Sequence, residues 1–350
     1  MGTKQSETEI FVRNIQLQEE ITKDSYSNYF AIGSFIIINT IDNKLLLIYA
    51  TQKNSIVFMN FVDFQKIHEI NNAHNKQVTI FKHHLEKSNE VERDLLLSIS
   101  CEDSNVKVWD IKNYFCILNI ENVYPNDILH SGCFLISNEK IHIITCHYNI
   151  TNDPQPMRIF DIYGNLIRDI KNSNFKIYYI DSYHDKITSK NYIIICLNAE
   201  VVSYDFEEDK IYKSYPNDYK KYDPLVITNN NHFVINDNSP IIKLIISSYD
   251  SYIRVWDFHE AKILVKIKFK NQGLTGICLW NDEFLFVCGD DTMIKLVNYS
   301  KGKIIKKYAG HKRSSLTIQK VKHPKFGDCI VSIGWADDQI KLWTNQTIKI

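Results

Sequence analysis

A short pattern, apolar-x-apolar-aromatic-Asp, returns seven times along this chain. It appears as IVFMN ending at Asn60, VKVWD at Asp110, MRIFD at Asp161, VVSYD at Asp205, IRVWD at Asp257, IKLVN at Asn298 and IKLWT at Thr344. Successive copies are 50, 51, 44, 52, 41 and 46 residues apart. Each is preceded by a second apolar run, such as DLLLSIS, IHIITC or EFLFVCG, and the first six are followed by a third, such as YFCILNI or KIIKKYA. Period-two apolar runs of this length, separated by polar turns and with no helical pattern between them, are strands.

Self-similarity at this period belongs to repeat architectures in which one unit cannot bury its own apolar face and stacking supplies the core. The spacing fits a four-stranded blade, so the chain is expected to be all-β, a seven-bladed β-propeller with antiparallel blades. After Trp343 only TNQTIKI remains, too little for the last blade's fourth strand. The stretch EIFVRNIQL, Glu9–Leu17, is expected to supply it and so to remove an exposed edge. Residues 1–8 then read as a flexible tail and residues 9–350 as one domain.

Composition is consistent with this. The 350 residues are 44% hydrophobic, enough for a large core. Only 11 residues are Gly whereas 33 are Asn, the non-glycine residue best suited to left-handed turns. The 41 basic and 41 acidic residues cancel, so no global field draws the chain to nucleic acid or to an anionic membrane. No apolar run reaches the roughly 18 residues of a spanning helix, and no secretory h-region is present. The eight Cys are scattered without C-x-x-C and read as buried free thiols of a reducing compartment, placing the protein in the cytoplasm or nucleus.

Two further features sharpen the repeat. Ala73-His74 precedes Trp109-Asp110, and Gly310-His311 precedes Trp343-Thr344, while an Asp stands six residues before the aromatic position at Asp103, Asp250, Asp291 and Asp337. In these residues the chain resembles the WD-repeat (WD40) family. The resemblance implies structural roles for His74, Asp103, Trp109, Asp110, Asp250, Trp256, Asp257, Asp291, His311, Asp337 and Trp343. In particular, the turn Asp would bond the His and orient the Trp in the sets His74, Asp103, Trp109 and His311, Asp337, Trp343. The family's strand Ser or Thr, sought ten residues before the Trp, is Ile99, Ile246 or Ile333 here. The full hydrogen-bonded tetrad is therefore not expected.

Other candidates are weaker. MGTKQS matches the myristoylation pattern with Gly2 as acceptor, yet one acyl chain anchors only marginally and acids follow it closely. His142, Cys146 and His147 lie close in sequence, but Cys146 and His147 would face opposite sides of a strand. His83-His84 reads as a solvated turn. Lys210–Pro224 interleaves Lys with Tyr, neutralised by neighbouring acids, and reads as a solvated connection between blades. Cys146–Met157 is a Pro-bearing insertion. Phosphate loops, nucleophile elbows and H-E-x-x-H are absent, as are the W-D-x-R and F-R-R-G motifs of specialised propellers.

The expectation for function is a non-enzymatic scaffold without cofactor, metal or small-molecule substrate, a monomeric ring that binds proteins or peptides within a larger complex. The second and third strands' turns and the approaches to the first strands share one face in the family. Glu102, Ser104, Tyr249, Ser251, Asp290, Trp335 and Asp338 form the expected contact set. The alternatives are a membrane-peripheral adaptor acylated at Gly2 and, weakest given the balanced charge, a nucleic-acid-associated propeller.

Overall fold

The computed structural model describes residues 11–16, 35–51, 53–87, 92–125, 128–148, 156–170, 177–197, 200–217, 232–270, 273–309, 311, 315–334 and 339–344. Among them every regular element is a strand, and the strands form seven four-stranded antiparallel sheets. Six sheets take four consecutive strands each, giving blades 1 to 6 over residues 35–70, 78–120, 128–170, 177–216, 232–268 and 274–309. Blade 7 takes three strands over residues 315–344, and its fourth comes from the start of the chain. Phe11–Gln16 runs antiparallel to Gln339–Thr344, from Phe11 opposite Thr344 to Gln16 opposite Gln339.

Each motif sits on the third strand of its blade, which pairs on both sides. The second strands are almost wholly buried, as in LLLIYA of blade 1, while the outer strands are the most exposed. First strands of neighbouring blades touch one another, so they line the axis.

Seven hydrophobic clusters fill the structure, one at each junction between blades, including the junction of blade 7 with blade 1. The fourth residue of every motif packs backward. Trp109 lies in the cluster shared with blade 1, Phe160 with blade 2, Tyr204 with blade 3 and Trp256 with blade 4. Val297, Trp343 and Met59 do the same against blades 5, 6 and 7. The side chain there is aromatic in five of the seven blades, and apolar burial at about 25 cal/mol per Å² rewards filling the space between blades.

Two details accompany the aromatic position. In blades 1 to 6 the pairing with the outer strand slips at that residue, for example between Val108 and Trp109 and between Val255 and Trp256. Such bulges bend and twist a strand locally. The residue closing the motif then caps the following turn. Asp110 Oδ1 accepts the Lys112 N–H at 2.8 Å, Asp161 Oδ1 the Tyr163 N–H at 2.9 Å, and Asp257 Oδ1 the His259 N–H at 3.0 Å. Asn60 performs the same task for Val62. The recurring Asp is thus a turn-former whose side chain imitates a backbone acceptor. Among the described residues Asn also supplies five of the fourteen non-glycine residues at positive φ, namely Asn43, Asn54, Asn72, Asn122 and Asn138.

Three sequence expectations are corrected. Seven cysteines are buried free thiols, but Cys116 is exposed, because it lies on the outer strand Phe115–Ile120, which has no further strand to cover it. His83 and His84 belong to the ten-residue inner strand Val78–Lys87, where His83 Nε2 meets Asp94 Oδ1 at 3.0 Å. Lys210–Pro216 is the outer strand of blade 4 rather than a connection, with Tyr215 fully buried and its hydroxyl donating to Phe258 O at 2.7 Å. Gly2 and residues 1–8 lie outside the described residues, as do 218–224 and 149–155 of the two loops singled out.

Candidate protein-interaction face

The turns that join second to third strands, together with the approaches to first strands, form one end of the ring. In blade 2 the turn spans Cys101–Ser104. Asp103 Oδ1 accepts the Asn105 N–H at 3.2 Å, which shapes the turn, and Oδ2 accepts the Asn75 N–H at 3.1 Å, which ties the turn to the approach segment. His74, the neighbour of Asn75, points inward and is 2% exposed.

Its Nε2 lies 2.7 Å from Ser98 Oγ, and the Trp109 indole N–H donates to the same oxygen at 2.8 Å. Ser98 is fully buried, so one hydroxyl serves two polar rings that water cannot reach. Burial pushes the His74 imidazole down to about 3, so the ring is neutral at physiological pH. The bond expected between Asp103 and His74 is replaced by the one to Asn75, and His74 Nδ1 is buried with no hydrogen-bond partner among the described residues.

Blade 7 repeats this arrangement. His311 Nε2 lies 2.7 Å from Ser332 Oγ, which accepts the Trp343 N–H at 2.8 Å. The serines had been sought one residue too late, at Ile99 and Ile333. Ser98 faces Lys107 and Ser332 faces Lys341, eleven residues before their Trp. Blade 5 has a tighter turn, and there Ile246 faces Arg254 at ten residues from Trp256. Lacking the hydroxyl, blade 5 leaves the Trp256 indole N–H buried without an acceptor among the described residues.

In blades 5 and 6 the turn acid takes a different partner. Asp250 accepts two bonds from Arg254, Nη1 to Oδ1 at 3.1 Å and Nη2 to Oδ2 at 2.6 Å, with the Arg254 side chain 1% exposed. Asp291 pairs with the buried Lys295 in the same way. Asp337 lies outside the described residues.

A test of the relay is direct. Ser98→Ala should lower the unfolding free energy by about 2–3 kcal/mol, since two buried polar groups lose one shared partner. Urea titration measures it, and a loss below about 0.5 kcal/mol would show that the hydroxyl is dispensable.

The expected contact residues divide. Glu102 and Asp290 are exposed, and Tyr249 and Ser251 are half-buried at the surface. Tyr249 lies over Gly273, where an added Cβ would meet its ring at 2.2 Å. Burial and the adjacent Asp290 carboxylate raise the Tyr249 hydroxyl above its ordinary pKa. Ser104 is corrected. It is 4% exposed, and its Oγ accepts the Tyr124 N–H at 2.9 Å, so it pins the turn from beneath and cannot meet a partner. Trp335 and Asp338 lie outside the described residues.

No family model matches the chain. A stretch of 156 residues, 43% of this chain, is 25% identical to pre-mRNA-processing factor 19 of Caenorhabditis elegans. That stretch covers 29% of the relative's length. Seven blades of four strands, each with the fourth motif residue, aromatic in five of them, turned onto the preceding blade, supply what the weak likeness lacks. Fold and likeness together support the WD-repeat family of β-propellers.

On this ring the approach segments meet the turns beside them. Lys76 and Glu102 meet across it at 3.9 Å, and the Asp290 N–H donates to Gly273 O at 3.1 Å beneath Tyr249. Approach segment and turn are therefore fastened together in blades 2 and 6, which holds Glu102 and Asp290 in fixed positions. Among the described residues, no group of three His, Cys, Asp or Glu side chains is arranged to hold a metal ion.

Proposed function

We propose that this WD-repeat propeller is a non-enzymatic scaffold that holds other proteins or peptides in a complex through its turn face. The observation that carries the reading is the fastening of that face. Asn75 is bonded to Asp103, Gly273 is bonded to Asp290 and covered by Tyr249, and all of them stand on a ring with a core at every junction. A preorganised surface loses little freedom on binding, so a few charged and aromatic anchors suffice for affinity. WD-repeat propellers are typically binding rather than catalytic proteins, which agrees with the lack of catalytic motifs in the sequence. The likeness to a pre-mRNA-processing factor makes proteins of pre-mRNA processing the first partners to seek, in the nucleus as well as the cytoplasm.

The test is affinity capture of full-length protein from the native cell, quantified by mass spectrometry, for wild type and for the double variant Glu102→Lys, Asp290→Lys. A specific set of proteins reduced at least about tenfold in the variant is expected, given that charge reversal at a contact costs on the order of 1.4 kcal/mol or more. Equal capture by both would move the partner site off this face.

A further inference from the structure

The protein's charges cancel in total but are not evenly spread. The outer strand of blade 5, Ile263–Lys268, and that of blade 6, Lys303–Ala309, carry no acidic residue. Along the first and its flanks Lys262, Lys266, Lys268 and Lys270 are exposed. Along the second, Lys301, Lys303, Lys306 and Lys307 are exposed as well. The acid nearest in sequence to either strand is Glu260, in the turn before blade 5's outer strand. Other rims are different. Lys66 pairs with Glu69 on blade 1, Arg168 with Asp209 between blades 3 and 4, and Lys210 with Glu208 on blade 4.

The two basic rims form one surface. The Gly302 turn of blade 6 sits so near blade 5 that an added Cβ would touch Val265 Cγ1 at 3.5 Å. Between the lysines, aliphatic side chains stand in solvent: Ile263 and Leu264 are each 40% exposed, Ile304 36% and Ile305 53%. A lysine on an edge strand blunts unwanted pairing. Four along each of two touching edges and their flanks, beside exposed Ile and Leu, go beyond that need.

We propose that the rim of blades 5 and 6 docks onto an anionic lipid bilayer. Lysine heads would lie among the lipid headgroups while Ile263, Leu264, Ile304 and Ile305 enter the interface, the pairing of charge and apolar area that interfacial binding uses. A planar surface can meet both rims together, whereas an acidic strand adding to an edge could pair with only one sheet. Single-stranded nucleic acid would favour exposed aromatics for stacking, and here Tyr308 is buried and Tyr252 lies beneath Lys266 and Lys268, 4.4 and 5.8 Å from its ring. The proposal is independent of the scaffold reading, since the rim includes none of Asn75, Glu102, Asp103, Tyr249, Gly273 and Asp290, on which that reading rests.

Sedimentation with vesicles tests it, using recombinant protein without an acyl chain. The expected result is binding to phosphatidylserine and phosphatidylinositol vesicles, none to phosphatidylcholine vesicles, and weakening as salt rises. Each lysine near such a surface contributes roughly fivefold, so Lys262→Glu, Lys270→Glu, Lys303→Glu and Lys307→Glu together should lower the partition coefficient by about 100-fold or more. A charge-matched control, Lys53→Glu, Lys112→Glu, Lys140→Glu and Lys322→Glu, should bind nearly as wild type. Both variants are checked by circular dichroism, and the four Lys→Gln changes at the rim serve if the Glu variant is unfolded. Absence of wild-type binding, or equal loss in rim and control variants, overturns the proposal. Rim-dependent retention on single-stranded RNA without vesicle binding also overturns it and assigns the rim to nucleic acid.

Discussion

Lowering the pH from about 7.5 to about 5.5 should cost this propeller about 4 kcal/mol of unfolding free energy. Three histidines account for it. Burial pushes His74 down to about 3 and His130 and His232 down to about 4. His74 belongs to the relay beneath the turn face, while His130 and His232 stand on the first strands of blades 3 and 5. In the unfolded chain each protonates near 6.5, so between about pH 6.5 and 4 the unfolded state binds three more protons than the folded one. Stability is therefore complete above the unfolded pKa and declines as pH falls through it, by about 1.4 kcal/mol per pH unit for each histidine at full slope. Asp42, Asp161 and Asp185, whose carboxyls are held below the ordinary range by hydrogen bonds, add to the loss only at still lower pH. Urea midpoints across this window measure the slope, and His232→Gln should remove about a third of it. Midpoints unchanged between the two pH values would mean that the three rings accept protons without unfolding.

Asp250→Ala should be the most damaging single substitution on the turn face, lowering stability by about 3–5 kcal/mol. The change removes the carboxylate that takes two bonds from Arg254, a guanidinium whose side chain is 1% exposed. Guanidinium cannot escape by losing its proton, so the charge stays buried without its counter-charge. Replacing both partners, Asp250→Ala with Arg254→Leu, should recover much of the loss, because an apolar side chain of similar volume suits that site. A thermal melt of the two variants decides the matter. If the double variant is no more stable than the single, the cost lies in the shape of the turn rather than in the stranded charge.

The sequence was most legible where one physical demand recurs. Every blade must fill the space beside its predecessor, so an apolar residue at the fourth motif position, aromatic in five copies, returned with the period of the fold, from Met59 to Trp343. The acceptor that caps the next turn was equally visible as Asp110, Asp161 and Asp257. What stayed hidden depended on local length or on neighbours distant in sequence. Ser98 and Ser332 were missed because turns of different length move the same structural position from ten to eleven residues before the Trp. Ser104 looked like a surface residue since its burial under the turn comes from Tyr124, twenty residues on. Cys116 resembles the other cysteines in sequence context and differs only in lying on an outermost strand. The basic rim required the third dimension too, because Lys262–Lys270 and Lys301–Lys307 are separate runs until the Gly302 turn brings them together.

The pairing of Phe11–Gln16 with Gln339–Thr344 makes the two ends of the ring's chain neighbours. Contacts of such long range slow folding, because the entropy of closing the loop must be surrendered before they give anything in return. Six blades can assemble by local hairpins in the order in which they are made, but the seventh must wait for its last strand while the first lies unpaired. The joint is a latch, a pairing in which residues at opposite ends of the ring's sequence close its last blade.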